Sequence, residues 1–285
     1  MSRALVTGGT KSDTAPMAVF AINIRDICPN SFDTLVVFHD GIRKKDQELI
    51  NNIFPTRFIQ YKYRYVTGND EVISHFSPMV FCKYECFSLL RDYDEVVWSD
   101  YDVVIRGDIS EIWQFKDDIY FNILERDSIL RTMFYKDIIS SEIKEYDLDD
   151  LGINTPLFAL SNKLHNYSEI AEWCYLKTNS WDKDLFLPEQ CIVSLATQEF
   201  GVSFNEIPAR RYVTFPENAI GDELILHAAG QPKFWNGRQN EEWDKRYEEW
   251  ILLGGTKYYD WIKKLNNKIK FLLARLKGVR GRTHE

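Results

Sequence analysis

The sequence predicts an α/β fold with a mostly parallel central sheet and helices on both of its faces. Three observations carry this. In the first half of the chain, short apolar runs alternate with stretches of helical spacing, the order that builds parallel sheets through helical crossovers. The runs are continuously apolar, as in Thr34-Leu35-Val36-Val37-Phe38, where a strand open to water on one face would alternate. At 285 residues, 45% hydrophobic and 14% aromatic, the chain can fill a large core on both sides of such a sheet.

The elements follow in order. Arg3–Val6 reads as the first strand and Ala15–Ile24 as a helix that is apolar over much of its surface. Thr34–Phe38 is a second strand, and Ile42–Ile53 a helix solvated on its Arg43-Lys44-Lys45-Asp46 side. Thr56–Tyr61 is a third strand. Ser77–Leu90 has helical spacing through Met79, Phe81, Cys82, Phe87, Leu89 and Leu90, and Glu95–Trp98 is a buried strand. In the less regular second half, Tyr120–Leu124, Leu157–Leu160 and Glu223–Ala228 read as strands, Lys163–Leu176 and Pro188–Phe200 as helices. Pro188 suits a first helical turn, where its missing N–H costs nothing. No repeat and no Gly-, Ser- or Pro-rich linker divides residues 1–255, so one continuous domain is expected there.

Composition excludes several classes. Lys and Arg number 35 against 43 Asp and Glu, a net charge of −8, which argues against nucleic acid as a partner. No apolar run reaches the ~18–20 residues of a membrane span. Met1-Ser2-Arg3-Ala4-Leu5-Val6 enters a strand-like run directly, without the pattern of a secretory leader. The five cysteines are scattered, with no Cys-x-x-Cys pair, and read as reduced thiols of a cytoplasmic protein. Residues 256–285 differ from the rest: nine Lys and Arg stand against Asp260 and Glu285, and Ile262, Leu265, Ile269, Leu272, Leu273 and Leu276 form one apolar stripe. This segment reads as a basic amphipathic helix. It either packs on the acidic domain or lies on an anionic membrane surface, where each Lys or Arg adds ~1 kcal/mol.

Two constellations carry chemistry. Ser99-Asp100-Tyr101-Asp102 follows directly on the strand Glu95–Trp98, so two carboxylates at i and i+2 stand at a strand end and can converge on one hard divalent cation. Oxygen ligands suit Mg²⁺ or Mn²⁺, and one added imidazole nitrogen shifts the choice toward Mn²⁺. The second is His227-Ala228-Ala229-Gly230-Gln231-Pro232-Lys233-Phe234-Trp235, again after an apolar strand. A His at a strand end can complete a metal site, Gly230 lets the backbone approach a phosphate, and Lys233 can neutralise it. A metal with a Gly and a Lys on the same two phosphates stabilises a nucleotide leaving group.

The segment Trp98-Ser99-Asp100-Tyr101-Asp102 through Trp113 resembles the Asp-x-Asp region of glycosyltransferase family 8, retaining enzymes of the GT-A fold that include bacterial lipopolysaccharide galactosyl- and glucosyltransferases. His227-x-x-Gly230-x-x-Lys233-x-Trp235 resembles the family's C-terminal metal and diphosphate motif. Asn154-Thr155-Pro156-Leu157 is similar to its Asn-Ala-Gly-Val-type strand start, and Glu189-Gln190 to its Asp-Gln pair. The resemblance implies that Asp100, Asp102 and His227 hold Mn²⁺, with Mg²⁺ as the alternative. It implies that Gly230 and Lys233 hold the diphosphate of a UDP-sugar, with Asp100 also near the donor. Lys83 stands where the family commonly has a donor-contacting Arg. Asn154 and Glu189 would bind donor sugar hydroxyls, Gln190 would sit beneath the anomeric carbon, and Asp127 falls where an acidic sugar-binding residue is expected. Two departures stand out. The first loop, Thr7-Gly8-Gly9-Thr10-Lys11-Ser12-Asp13, lacks the family's uridine-reading Asp and Asn, leaving Thr7, Gly8 and neighbouring hydroxyls to hold the nucleoside; and Pro156 replaces a Gly.

The function implied is metal-dependent, retaining transfer of galactose or glucose from a UDP-sugar to a carbohydrate or glycolipid acceptor, in synthesis of lipopolysaccharide, capsule or another bacterial surface glycan. With the basic tail, this places the protein in the cytoplasm or peripherally at the inner face of the plasma membrane. Two other readings are weighed. Val6-Thr7-Gly8-Gly9 suggests a nicotinamide dehydrogenase, but the Gly-x-Gly-x-x-Gly spacing is missing and no acid follows at about twenty residues. A catalytically degenerate nucleotide- or glycan-binding scaffold fits the altered first loop and Pro156, but leaves the intact Asp100, Asp102, His227 and Lys233 without a purpose.

Overall fold

Side chains of the first strand point alternately to two opposite cores, so the strand is covered on both sides. In the computed structural model, which describes residues 1–64, 76–135 and 139–259, β1 (Arg3–Gly9) lies between β2 (Thr34–His39) and β4 (Glu95–Ser99), parallel to both. The outer strands are β3 (Thr56–Gln60) beside β2, and beyond β4 come β7 (Leu157–Ser161), β6 (Phe121–Leu124) and β8 (Asn205–Ile207). The order is β3-β2-β1-β4-β7-β6-β8, and β7 alone runs against the other six. This is the expected mostly parallel sheet.

Ala4, Val6, Val36, Phe38, Val96 and Trp98 face one core, filled by the segment 78–89 and by α4 (Tyr167–Ser180) and α5 (Pro188–Glu199). Leu5, Leu35, Val37 and Val97 face the other, filled by α1 (Thr14–Ile27), α2 (Lys44–Ile53) and α7 (Glu241–Leu252). Each fully buried Leu, Val or Phe stabilises by about 1.5–3 kcal/mol. Helices thus cover both faces because the strands are apolar on both. All five cysteines are buried and unbridged.

Several elements differ from the sequence reading. β1 continues to Gly9, so Thr7, Gly8 and Gly9, expected in a loop, are its last paired residues, opposite Val37, Phe38 and His39. Pairing to a long neighbour overrides the poor strand preference of glycine. The segment expected as one helix over Ser77–Leu90 is a 3₁₀ stretch, Pro78–Tyr84, followed by a short α3 (Glu85–Leu89). Met79, Phe81, Cys82, Lys83 and Tyr84 are all buried, so packing on every side, rather than one apolar stripe, sets the winding. The helix expected from Lys163 starts at Tyr167, because Asn166 before it is left-handed with φ of 59°, a conformation that asparagine tolerates better than most residues. The strand expected over Glu223–Ala228 is only β9 (Ile225–His227), paired antiparallel with a three-residue β5 (Val103–Ile105) that is too short to show a period. A short α6 (Ala209–Tyr212) precedes it.

Of the basic tail, residues 256–259 are described. Thr256 donates through its backbone and its hydroxyl to the buried Asp46, at 3.1 and 2.6 Å, and Trp250 Nε1 donates to the Thr256 carbonyl at 2.9 Å. The chain therefore stays docked on α2 and α7 past Gly255. The apolar stripe from Ile262 to Leu276 lies outside the described residues.

Gly8 is a position of close approach. A Cβ there would overlap the Cys82 sulfur and lie 3.3 Å from the Phe38 Cβ. Gly8→Ala should destabilise the protein by about 1–3 kcal/mol, the usual cost of overpacking. Adding Cys82→Ala should recover most of the loss in a urea-denaturation double-mutant cycle.

Candidate active site

The sheet order reverses at β1: β2 and β3 lie on one side and β4 on the other. Ligands of open α/β sheets bind in the crevice outside the carboxyl ends of the strands at such a point. The ends that meet there are Thr7–Gly9 of β1 and Ser99-Asp100 after β4.

Backbone bonds fix the Asp-x-Asp segment. Asp100 N donates to the Pro156 carbonyl at 2.9 Å as the chain leaves β4, and Ala228 N donates to the Asp102 carbonyl at 2.9 Å. Between them the β5–β9 ladder sets Val103 opposite His227, so the imidazole arrives beside the carboxylate that precedes Val103. His227 Nε2 lies 3.2 Å from Asp102 Oδ1 and 3.9 Å from Asp100 Oδ2. Ligand atoms of Asp100, Asp102 and His227 all fall within 4.8 Å of one another. Two carboxylate oxygens and one imidazole nitrogen at this spacing can hold one divalent cation.

Lys233 completes this cluster. It follows a turn at Gly230, whose φ of +69° favours glycine, and its Nζ bonds the Asp102 carboxylate and, at 2.9 Å, the Ala228 carbonyl. Burial pushes the Asp102 carboxyl pKa up, but the charges and hydrogen bonds of His227 and Lys233 outweigh burial and hold it well below the usual carboxylate range.

A second cluster lies behind the first. Lys83 is buried, and its Nζ reaches Asp100 Oδ1 at 3.3 Å, Glu189 Oε1 at 3.2 Å and Thr155 Oγ1 at 3.2 Å. Thr155 Oγ1 itself donates to Glu189 Oε1 at 3.0 Å. Burial works against the ammonium charge, but Asp100 and Glu189 reverse this and raise the Lys83 pKa above its ordinary value. Trp98 Nε1 also donates to Asp100 Oδ1, at 2.9 Å. That oxygen is thus occupied from behind, and Oδ2 is the one facing His227.

Three buried side-chain oxygens have no hydrogen-bond partner among the described residues and belong to expected site positions: Thr7 Oγ1, Glu189 Oε2 and Gln190 Oε1. Orphans of this kind are uncommon and call for a ligand or a catalytic role. Glu189 and Gln190 sit in the first turn of α5, where Pro188 occupies the position expected of it. Asn154 and Asp127 are brought together, Asn154 Nδ2 donating to Asp127 Oδ1 at 3.2 Å. Asn154-Thr155-Pro156 therefore serves three neighbours in turn: Asp127, the Lys83–Glu189 pair, and the backbone of Asp100.

A family model described as glycosyl transferase family 8 matches residues 16–236. The chain belongs to this family. Its fold is GT-A. The galactosyltransferase LgtC, crystallised with donor and acceptor sugar analogues, superposes with a TM-score of 0.62 at 16% identity, covering 92% of this chain and 99% of LgtC. The bifunctional glycosyltransferase WbbM gives 0.63 at 14% identity over 87% of this chain and 49% of its own. The glycosyltransferase GlyE of Streptococcus pneumoniae TIGR4 gives 0.59 at 16% identity, over 93% and 64%. No curated protein sequence matches the chain. This family 8 chain is accordingly a glycosyltransferase.

Two contributors to the site escaped the sequence reading. Trp98 reads as one more apolar residue of a buried strand, and its indole N–H is invisible until Asp100 is placed beside it. Thr155 stands inside the quoted Asn154-Thr155-Pro156 motif, and a hydroxyl two residues before a buried strand is the signal that could have marked it.

The Lys83 cluster makes a strong prediction for stability. Lys83→Met leaves Glu189 buried without its counter-charge, and should cost about 3–5 kcal/mol in chemical denaturation. Adding Glu189→Gln removes the stranded charge, so the double variant should be more stable than Lys83→Met alone.

Proposed function

We propose that the protein is a metal-dependent, retaining glycosyltransferase that moves a hexose, galactose or glucose, from a UDP-sugar to a carbohydrate or glycolipid acceptor. The observation that carries this reading is the convergence of Asp100, Asp102 and His227 beside Lys233 at the carboxyl end of β4, in a family 8 chain. LgtC, a galactosyltransferase crystallised with donor and acceptor sugar analogues, supports the substrate class.

Asp100, Asp102 and His227 would hold the cation, Mn²⁺ in preference to Mg²⁺ because of the imidazole ligand. Bound there, it would act as a Lewis acid toward the diphosphate oxygens. Lys233 would supply its ammonium to the same diphosphate, and Gly230 leaves the backbone open to it, with nothing within 4 Å of where a Cβ would stand. Thr7 and Gly8, at the end of β1, would contact the nucleoside. Asn154 with Asp127, and the unpaired oxygen of Glu189, would exchange hydrogen bonds with sugar hydroxyls. Gln190 would lie beneath the anomeric carbon. An amide is a feeble nucleophile, so the acceptor oxygen bonds to the anomeric carbon on the face that the UDP leaves. The C1–O bond to phosphate breaks, and the acceptor proton passes to the departing β-phosphate oxygen. Lys83 acts behind the donor by holding Asp100 and Glu189.

Bacterial lipopolysaccharide, capsule or a related surface glycan is the destination that fits the family and the basic tail, with the tail resting on the anionic inner leaflet. No helix among the described residues is long and apolar enough to cross a membrane.

Purified protein incubated with Mn²⁺ and a panel of UDP-sugars should release UDP from one of them, and a chelator should stop it. Asp102→Asn should abolish this release in a protein that still folds, with an unfolding temperature lowered by the loss of the Lys233 partner. Near-normal turnover by that variant would refute the metal assignment, and no release from any sugar together with no thermal shift on UDP and Mn²⁺ would favour the binding scaffold. For the tail, truncation after Tyr259 should abolish binding to anionic vesicles, while unchanged binding would remove the membrane contact.

A further inference from the structure

Trp235 closes the motif that begins at His227, yet none of the roles above uses it. Its ring stacks on Tyr101, with centroids 5.7 Å apart and planes inclined by 24°. Tyr101 is the residue between Asp100 and Asp102, and neither its ring nor its hydroxyl is a cation ligand. Asp100, Tyr101 and Asp102 form the bend between β4 and β5, so whatever holds the Tyr101 ring also holds the stretch of backbone that carries the two carboxylates.

Tyr101 is held on every side. A Cβ on Gly9 would stand 3.1 Å from its ring, so the glycine at the end of β1 makes room for it. Its hydroxyl is hydrogen-bonded to Asp13 at the start of α1. The third support is Trp235, which is itself wedged by Trp243 at 6.2 Å and by Tyr258 at 6.1 Å between centroids. Tyr247 stacks on Trp243 at 5.2 Å, and its hydroxyl accepts from the Tyr258 backbone N–H at 3.1 Å. An aromatic column thus runs from α7 and the docked tail to the ring between the two carboxylates. Lys233, two residues before Trp235 and bonded to Asp102, is carried on the same loop.

We propose that Trp235 is a positioning residue: by stacking on Tyr101 it fixes the aim of the Asp100 and Asp102 carboxylates and their register with Lys233, and so sets affinity for the divalent cation. The proposal rests on the reading that Asp100, Asp102 and His227 hold that cation. Side chains that orient metal ligands without touching the metal are commonly worth 10–100-fold in its affinity. A plain packing role would lower the unfolding temperature and leave metal affinity unchanged.

The test is calorimetric titration of Mn²⁺ alone into the full-length protein and its variants, with KM and kcat for the UDP-sugar and thermal unfolding in chelator measured alongside. Trp235→Leu should weaken Mn²⁺ binding by about tenfold or more, while Trp235→Phe, which keeps a stacked ring, should stay within about threefold of wild type. The same contrast should hold from the other side for Tyr101→Leu against Tyr101→Phe, which also decides the matter should Trp235→Leu fail to fold. Wild-type Mn²⁺ affinity in a folded Leu variant, or an equal loss in the Phe variants, overturns the positioning role alone. If the wild-type protein binds no more Mn²⁺ than Asp102→Asn does, the metal reading fails and this proposal falls with it.

Discussion

Asp100, Asp102 and Glu189 crowd the carboxyl end of β4, and two lysines share the burial with them. Glu189 and Lys83 are each at most 5% exposed, and Asp102 is 7% exposed. Carboxylates taken out of water together without counter-charges would protonate or drive the site open. Lys83 answers Glu189 and Asp100 from the core side, and Lys233 answers Asp102 from the solvent side. The cost of burying this charge is offset only if every partner arrives in place, and the elements carrying them come from distant parts of the chain. Lys83 comes from the 3₁₀ segment before β4, Glu189 from the start of α5, and His227 and Lys233 from the chain after β9.

The sheet supplies the arrangement. Its single reversed strand, β7, starts where the parallel strands end, and this sets Asn154-Thr155-Pro156 directly beside Asp100. A fully parallel sheet would start β7 at the opposite end and bring in another crossover there. Reversal lets a three-residue run bond the Asp100 backbone, the Lys83–Glu189 pair and Asp127 together. The two-stranded β5–β9 ribbon does the same for His227. Its pairing register is the entire reason that a histidine 125 residues away in sequence meets Asp102, and a slip by one residue would turn the imidazole to the other face.

Much of this was legible in the residues. The doubly buried strands are long enough and apolar enough to declare themselves, and the carboxylate pair and the His227–Lys233 motif stand at strand ends where the chemistry of such sheets is found. What stayed hidden has physical causes. β5 holds three residues, too few to show a repeating pattern. Gly8 and Gly9 look like a turn, and only the neighbouring strand reveals that they are paired and that Gly8 makes room for Cys82. The winding of Pro78–Tyr84 is set by packing on all sides, which leaves no amphipathic signature. The indole N–H of Trp98 and the hydroxyl of Thr155 act only through partners that are remote in sequence.

Lysine at position 83 illustrates how a departure from a family's pattern can be read. A guanidinium presents its donors in a flat fork suited to one carboxylate taken edge-on, whereas an ammonium directs three donors to separate points. The acceptors around Lys83 are separate: one oxygen each from Asp100, Glu189 and Thr155, at 3.2–3.3 Å. The ammonium is thus drawn toward three points within the protein, with hydrogen bonds to Glu189 and Thr155 and an ion pair to Asp100. In the proposed reaction Lys83 would act on the donor through what it holds. On one side it helps Trp98 occupy one oxygen of Asp100 and leave the other toward His227. On the other it holds Oε1 of Glu189 and leaves Oε2, buried and unpaired, as the group with bonding capacity to offer.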